Sequence, residues 1–147
     1  MKTSEPILLD TNILVYYHQE LSPFHPKAAA LLEEGRRGKV PLCICPQVLM
    51  EFYATITNPK RVTDPVSAAA AIQEIEKYFR RRWITKIHPG EETLAITLDL
   101  LKRYPVKQME IFDLQLVATM LSNQVRRIYT FNRDDFLKYA GIEVMEP

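Results

Sequence analysis

The feature that most constrains this chain is the alternation of short apolar runs with longer segments of helical pattern. Ile7–Leu9 and Leu42–Cys45 are typical of buried strands, and each is followed by segments with apolar residues at helical spacing. This alternation indicates a parallel sheet covered by helices on both faces, because parallel strands need crossover connections. We therefore predict an α/β fold, a three-layer sandwich with a central parallel sheet of four or five strands flanked by helices.

The same patterns predict the bounds of the elements. The predicted strands are 7–9, 42–45, 84–87, 127–130 and 142–145. The predicted helices are 12–19, 26–38, 46–56, 64–82, 91–104, 110–122 and 134–139. In the fourth of these helices, Asp64 is expected to be the N-cap and Pro65 the first helical residue.

Length and composition indicate a single domain over residues 1–147, large enough to bury roughly two-thirds of the surface that the unfolded chain exposes. Nineteen Lys and Arg against eighteen Asp and Glu give a net charge of +1, and 47% of the residues are hydrophobic. These values exclude a disordered chain and a polycationic surface, so any contact with nucleic acid must come from a local patch. No apolar run approaches the roughly 18 residues needed to span a bilayer, and we expect no membrane contact.

The two cysteines, Cys43 and Cys45, are one residue apart in a predicted strand, so both side chains point to the same face. We predict that they are buried thiols rather than a disulfide, which favours a reducing cytoplasm. The segment from Met1 to Pro6 leads into an apolar stretch that Asp10 interrupts, and we expect no signal peptide there.

Three acidic residues, Asp10, Glu51 and Asp113, stand alone in segments that otherwise have the composition of a protein core. Residues 6–19, 40–59 and 111–125 hold one charged residue each, where about twelve in total would be expected from the chain average of 25%. A buried carboxylate is costly unless it is paired, hydrogen-bonded, protonated or bound to a cation. These three segments contain no basic residue, which favours a cation site.

The predicted elements can bring the three acids to one end of the sheet. Asp10 follows the first strand, where open α/β sheets place their ligands, and Glu51 lies about one turn into the helix after the second strand. Asp113 shares a helical face with Leu116 and Val117, the stripe that should face the sheet. Clustered carboxylates suit hard cations such as Mg²⁺ and Mn²⁺, and their mutual repulsion would strain the site until a metal binds.

Each acid also has a structural explanation. Asp10 could cap the helix that begins near Asn12, and Asp113 could cap a helix that begins one residue later. Glu51 has no capping role and would instead pair with a distant Arg or Lys.

Four motifs in this order resemble a PIN domain, and the length resembles the VapC-type toxins of prokaryotic toxin–antitoxin modules. The motifs are Asp10-Thr11-Asn12 after an apolar strand, Glu51 on the helix after the next strand, Asp113 in a late apolar helix, and Thr130 to Phe136 near the end of the chain. The resemblance covers nearly the whole chain.

The resemblance implies an endoribonuclease that uses Mg²⁺ or Mn²⁺ to hydrolyse phosphodiester bonds of RNA. It implies Asp10 and Asp113 as the principal metal ligands, with Glu51 completing the acidic cluster. Many family members carry an acid where Asn132 stands, and others carry asparagine there with an acid just before the following phenylalanine. This chain fits the second pattern, which makes Asp135 the fourth catalytic acid, but Asn132 could hold that role or begin an Asx-type helix with Asp135 at its third position.

The remaining motif residues are expected to orient the site or contact the substrate. They are Thr11, Asn12, Thr130, Asn132 and Arg133. Arg133 is the expected phosphate contact.

The resemblance also implies a cognate antitoxin and a homodimer. Four aromatic side chains either dock that antitoxin or pack between their helices, namely Tyr16, Tyr17, Phe52 and Tyr53.

The alternative function is a catalytically inactive PIN-fold domain that binds RNA or protein, against which the retention of three costly acids argues. An aspartyl phosphatase would need a second acid where Asn12 stands, and a receiver domain would need more acids near its first strand than Glu5 supplies. His18, His25 and His88 lack zinc-ligand spacing, and no nucleophile-elbow motif supports a serine hydrolase.

Overall fold

The computed structural model describes residues 5–147 and confirms the predicted fold class. Its strands are Ile7–Leu9 (β1), Leu42–Ile44 (β2), Ile84–Lys86 (β3), Arg127–Tyr129 (β4) and Glu143–Met145 (β5). They form one parallel sheet in the order β3-β2-β1-β4-β5, in which Ile7 of β1 is in register with Leu42 on one side and Arg127 on the other. The expectation about a signal peptide falls partly on Met1 to Ser4, which lie outside the described residues.

The helices within residues 5–147 lie in two layers. They are Thr11–His18 (α1), His25–Arg36 (α2), Pro46–Ile56 (α3), Ala68–Arg80 (α4), Thr93–Arg103 (α5) and Glu110–Ser122 (α6). The connections from β1 to β2 and from β2 to β3 step along the sheet in one direction, whereas the connection from β3 to β4 crosses back past β1. Right-handed crossovers therefore place α1 to α4 on one face and α5 with α6 on the other, in agreement with the helix–helix contacts.

The central strands are buried on both faces, which explains why their sequences are continuous apolar runs rather than alternating ones. Cys43 in β2 and Cys45 just after it are buried free thiols, as predicted. Burial raises the pKa of Cys43 to about 12 and that of Cys45 to about 11, so both stay protonated and unreactive. Within residues 5–147, no helix is both long and apolar enough to cross a bilayer.

The predicted start of the fourth helix at Asp64 and Pro65 is wrong. Helix α4 begins at Ala68, and Ser67 Oγ accepts a 3.2 Å hydrogen bond from Ala70 N. Serine is as good an N-cap as aspartate, so the local signal did not distinguish the two starts. The preceding loop is held by a hydrogen bond from Val66 N to Ile56 O, at the end of α3.

The predicted helix over 134–139 is also wrong, because the structure has only a 3-10 turn, Arg133–Asp135, followed by irregular turns. Phe136 is fully buried and Tyr139 is 2% exposed. These two anchors are three residues apart, a spacing that suits the tighter 3-10 repeat better than an α-helix. Their burial holds the segment against the core beside the end of β4.

Candidate active site

The motif residues gather at the carboxyl edge of the sheet, where β1 has β2 on one side and β4 on the other. The strand order reverses here, because β2 and β3 lie on one side of β1, whereas β4 and β5 lie on the other side. Such a switch opens a crevice at the strand ends, and ligands of open α/β sheets bind there. Asp10 follows β1 and Thr130 follows β4, so both residues lie at this crevice.

Asp10 is buried at the first turn of α1 and is also the N-cap of that helix. Its Oδ1 accepts a 2.8 Å hydrogen bond from Thr11 N, and its Oδ2 accepts one of 2.8 Å from Thr130 Oγ1. Burial raises the pKa of Asp10 to about 6, although the bonds from Thr130 and Thr11 oppose this and the charges of Glu51 and Asp135 add to it. The capping explanation therefore holds for Asp10, but it does not remove the cost of burying the charge.

Thr130 and Asn12 join the end of β4 to the start of α1. Asn12 Nδ2 donates to Thr130 Oγ1 at 3.1 Å and to Asp10 Oδ2 at 3.3 Å, while Asn12 Oδ1 accepts from Phe131 N at 3.2 Å. The Thr130 hydroxyl also accepts from Asn132 N at 3.0 Å. These bonds hold the Asp10 carboxylate in one orientation between two strands that are far apart in sequence.

Glu51 is half-buried on α3, and its two oxygens accept different hydrogen bonds. Oε2 accepts from Thr11 Oγ1 at 3.0 Å, and Oε1 accepts from Gln47 Nε2 at 3.0 Å. The part of the chain that the structure describes gives Glu51 no ion pair with Arg or Lys, so the pairing alternative is not realised. Both donors to Glu51 are neutral side chains.

Asp113 is half-buried at the fourth residue of α6, so the alternative that it caps a helix starting at the next residue is wrong. From residues 5–147, no hydrogen bond or ion pair reaches its carboxylate. Burial, followed by the charges of Asp135, Asp10 and Glu51, raises the pKa of Asp113 to about 7, while Lys138 lowers it. The four acids therefore lie close enough for their charges to interact.

The segment after β4 places its polar residues at the surface of the same edge. Asn132, Arg133 and Asp135 are exposed, and the Asn132 side chain makes no capping hydrogen bond, so the Asx-type start is not realised. The charge of Asp135 raises the pKa of both Asp10 and Asp113. Asp134 is not among the charges that affect either pKa.

The structure also brings in residues that the sequence did not point to. Gln47 contacts Glu51, and its position one turn earlier on the same helix face is a signal that could have been used. Lys138 pairs with Glu110 at 3.1 Å and influences Asp113, with no sequence signal to mark it. The buried Tyr139 hydroxyl has no hydrogen-bond partner among the described residues, and the charge of Asp113 contributes to raising its pKa to about 12.

The chemistry of these donors fits Mg²⁺ or Mn²⁺, because all four acids offer oxygen ligands and none is paired with a base of residues 5–147. Over the same residues, no three Asp, Glu, His or Cys side chains form a ready-made ligand set for a metal ion. Carboxylates that repel one another are expected to stay apart until a cation balances them.

The sequence from residue 7 to residue 142 matches the family model of the PIN domain. The chain belongs to the PIN domain family. It is 30% identical to Ribonuclease VapC24 of Mycobacterium tuberculosis over 140 residues, which cover 95% of this chain and 94% of that protein. The resemblance to a VapC-type PIN domain is thus confirmed, while a single domain over all of residues 1–147 stays a prediction.

Solved structures of toxin and toxin–antitoxin proteins share this fold. The VapC20 toxin of Mycobacterium tuberculosis superposes with a TM-score of 0.64 at 18% identity, covering 88% of this chain and 92% of that one. VapBC2 of Rickettsia felis, bound to a DNA fragment from its promoter, gives a TM-score of 0.65 at 14% identity, covering 95% and 97%.

Proposed function

We propose that this PIN domain is an endoribonuclease that hydrolyses RNA phosphodiester bonds with Mg²⁺ or Mn²⁺ and is the toxin of a toxin–antitoxin pair. The observation that carries the proposal is the convergence of Asp10, Glu51, Asp113 and Asp135 at a single edge of the sheet, where the charges of Glu51 and Asp135 help to raise the pKa of Asp10 and the charges of all three other acids help to raise the pKa of Asp113. In support, VapC24 is named a ribonuclease and VapC20 is described as a toxin that cleaves the sarcin–ricin loop.

Asp10 and Asp113 would hold the cation, with Glu51 completing the ligand set. When bound, the metal would supply the Lewis acidity that polarises the phosphodiester and makes a water acidic enough to attack near neutral pH. Glu51 or Asp135 would orient that water and accept its proton. Thr130 fixes Asp10 through its 2.8 Å hydrogen bond, and exposed Arg133 would contact a phosphate oxygen of the RNA.

For partners, we propose a cognate antitoxin and a homodimer in the cytoplasm. Similar structures include the Rickettsia felis VapBC2 complex and a toxin–antitoxin complex from Klebsiella pneumoniae. The aromatic residues expected to dock the antitoxin divide into two groups. Phe52 is fully buried against Tyr78, so it packs between helices, whereas Tyr17 and Tyr53 keep part of their surface accessible.

The test is cleavage of a fluorescent single-stranded RNA by the purified chain in Mg²⁺, compared with the same reaction in EDTA. Asp10→Asn and Asp113→Asn should abolish cleavage; asparagine at position 10 still caps α1, so the fold should survive. Asp64→Asn, an exposed change in the loop before α4, is the matched control and should cleave like wild type. Cleavage that survives EDTA would contradict the metal mechanism, and RNA binding without cleavage would support the inactive binding domain instead.

A further inference from the structure

Gln47 connects the two helical layers at the site. Its Nε2 donates a 3.0 Å hydrogen bond to Glu51 Oε1 on its own helix and a 2.8 Å hydrogen bond to Phe112 O. Phe112 is the third residue of α6, which lies on the opposite face of the sheet from α3. A single amide group thus joins one acid-bearing helix to the other.

The bond to Phe112 bears directly on Asp113, because the carbonyl that accepts it belongs to the peptide unit immediately before Asp113. The bond to Glu51 uses one carboxylate oxygen, and Thr11 Oγ1 holds the other at 3.0 Å. The two amide protons of Gln47 suffice for these two acceptors, and the amide that donates them is uncharged. Gln47 can therefore restrain two acids without neutralising either.

Resting on the proposed function, we propose that Gln47 is a positioning residue that sets the spacing between Glu51 and Asp113 before a cation binds. The half-buried carboxylates of Glu51 and Asp113 lie on helices in separate layers, and their negative charges repel each other. The Gln47 bridge opposes this separation by joining α3 to the first turn of α6. Residues that hydrogen-bond to metal ligands without binding the metal hold those ligands in position. Replacing such residues typically lowers metal affinity by about 10- to 100-fold.

The variant that tests this role is Gln47→Met, which keeps the length and helix propensity of the side chain but removes both donors. Binding of Mn²⁺ to metal-stripped protein, measured by calorimetry, is a readout that does not require cleavage. We expect the affinity to fall about 10-fold or more, while the thermal unfolding temperature stays close to that of Gln73→Met. Gln73 is an exposed glutamine on α4 with no part in the site, and it serves as the matched control.

A double-mutant cycle tests whether Gln47 influences the Mn²⁺ affinity through Glu51. If Gln47 acts through Glu51, then Gln47→Met combined with Glu51→Gln should bind Mn²⁺ little more weakly than Glu51→Gln alone. Fully additive losses, or wild-type Mn²⁺ affinity in Gln47→Met, would overturn the proposal. Gln47→Ala provides the same test if methionine disturbs the fold.

Failure of this inference and failure of the proposed function give different results. A wild type that binds Mn²⁺ but does not cleave RNA would contradict the ribonuclease proposal, while the loss of affinity in Gln47→Met would still support the positioning role. A wild type that cleaves RNA and a Gln47→Met variant with unchanged Mn²⁺ affinity and unchanged metal dependence would contradict only the role of Gln47.

Discussion

Thr130 Oγ1 donates a 2.8 Å hydrogen bond to Asp10 Oδ2 although the two residues are 120 positions apart. They directly follow Tyr129 and Leu9, which are paired in register on the neighbouring strands β4 and β1. Thr130 is fully buried, so its hydroxyl cannot exchange this partner for bulk water. The register of the sheet therefore determines the orientation of the acid most central to the site.

Thr130→Val should lower both stability and cleavage. Valine has nearly the shape of threonine but removes the partner of the Asn132 amide and leaves Asp10 Oδ2 with only the 3.3 Å bond from Asn12, at a cost of about 1–3 kcal/mol. Thr130→Ser keeps the hydroxyl and should retain most of the activity. Urea unfolding and RNA cleavage of the three proteins check this, and a loss in Thr130→Ser as large as that in Thr130→Val would contradict the role of the hydrogen bond, because serine retains the hydroxyl.

The metal-free protein should lose stability as the pH rises from about 4 to 7. The folded-state pKa values of Asp10 and Asp113 are raised to about 6 and about 7, so in this range the folded state holds protons that the unfolded chain has released. The free energy of unfolding then falls with pH, because stability rises with pH only where the unfolded state binds more protons.

Asp113→Asn isolates part of this pH dependence, since the Asp113 carboxylate has no hydrogen bond to lose within residues 5–147. In EDTA above pH 7 the variant should be more stable than wild type by about 1–3 kcal/mol, allowing for the solvent that reaches this half-buried group. Mg²⁺ should stabilise wild type and not the variant. Unfolding curves at pH 5 and pH 8 measure both effects, and a wild type that gains stability with pH would contradict the sign.

Asp135→Asn should reduce cleavage, and Asp134→Asn should leave it nearly unchanged. The two residues are adjacent and exposed, but only the charge of Asp135 raises the pKa values of Asp10 and Asp113. Removing that charge should also move the Asp113 pKa back towards its ordinary value. Carboxyl titration by NMR and cleavage assays would check the pair, and equal activity of Asp135→Asn and wild type would move the fourth role to Asn132 or remove it.

Phe52→Ala should destabilise the fold, whereas Tyr53→Ala should weaken antitoxin binding with a smaller cost in stability. Phe52 is fully buried, with its ring edge-on to Tyr78 at 5.9 Å, and such truncations cost about 3–5 kcal/mol. Tyr53 is only half-buried. Thermal unfolding and antitoxin pull-down of the two variants separate packing from docking, and a stable Phe52→Ala variant would contradict the packing assignment.

Three of the candidate site residues could be proposed from the sequence because each is a lone acid in an otherwise apolar segment. Asp10, Glu51 and Asp113 interrupt apolar segments, and an ionised side chain in such a segment needs a physical reason. In the structure, the charges of neighbouring acids add to burial in raising the pKa values of Asp10 and Asp113. Gln47 and Lys138 do not stand out in the same way, because a polar side chain at a position that solvent reaches is the ordinary case.

By itself, the sequence determined the α/β class, the positions of the strands and most of the helices, since apolar periodicity and turn residues are local properties of the chain. Only the tertiary structure decided the strand order, the bond from Thr130 to Asp10, and which of the adjacent residues Phe52 and Tyr53 is buried. It also replaced the predicted helix over 134–139 with a 3-10 turn, where the burial of Phe136 outweighed local propensity. Such features depend on distances between residues far apart in the chain, and these distances exist only once the strands have paired.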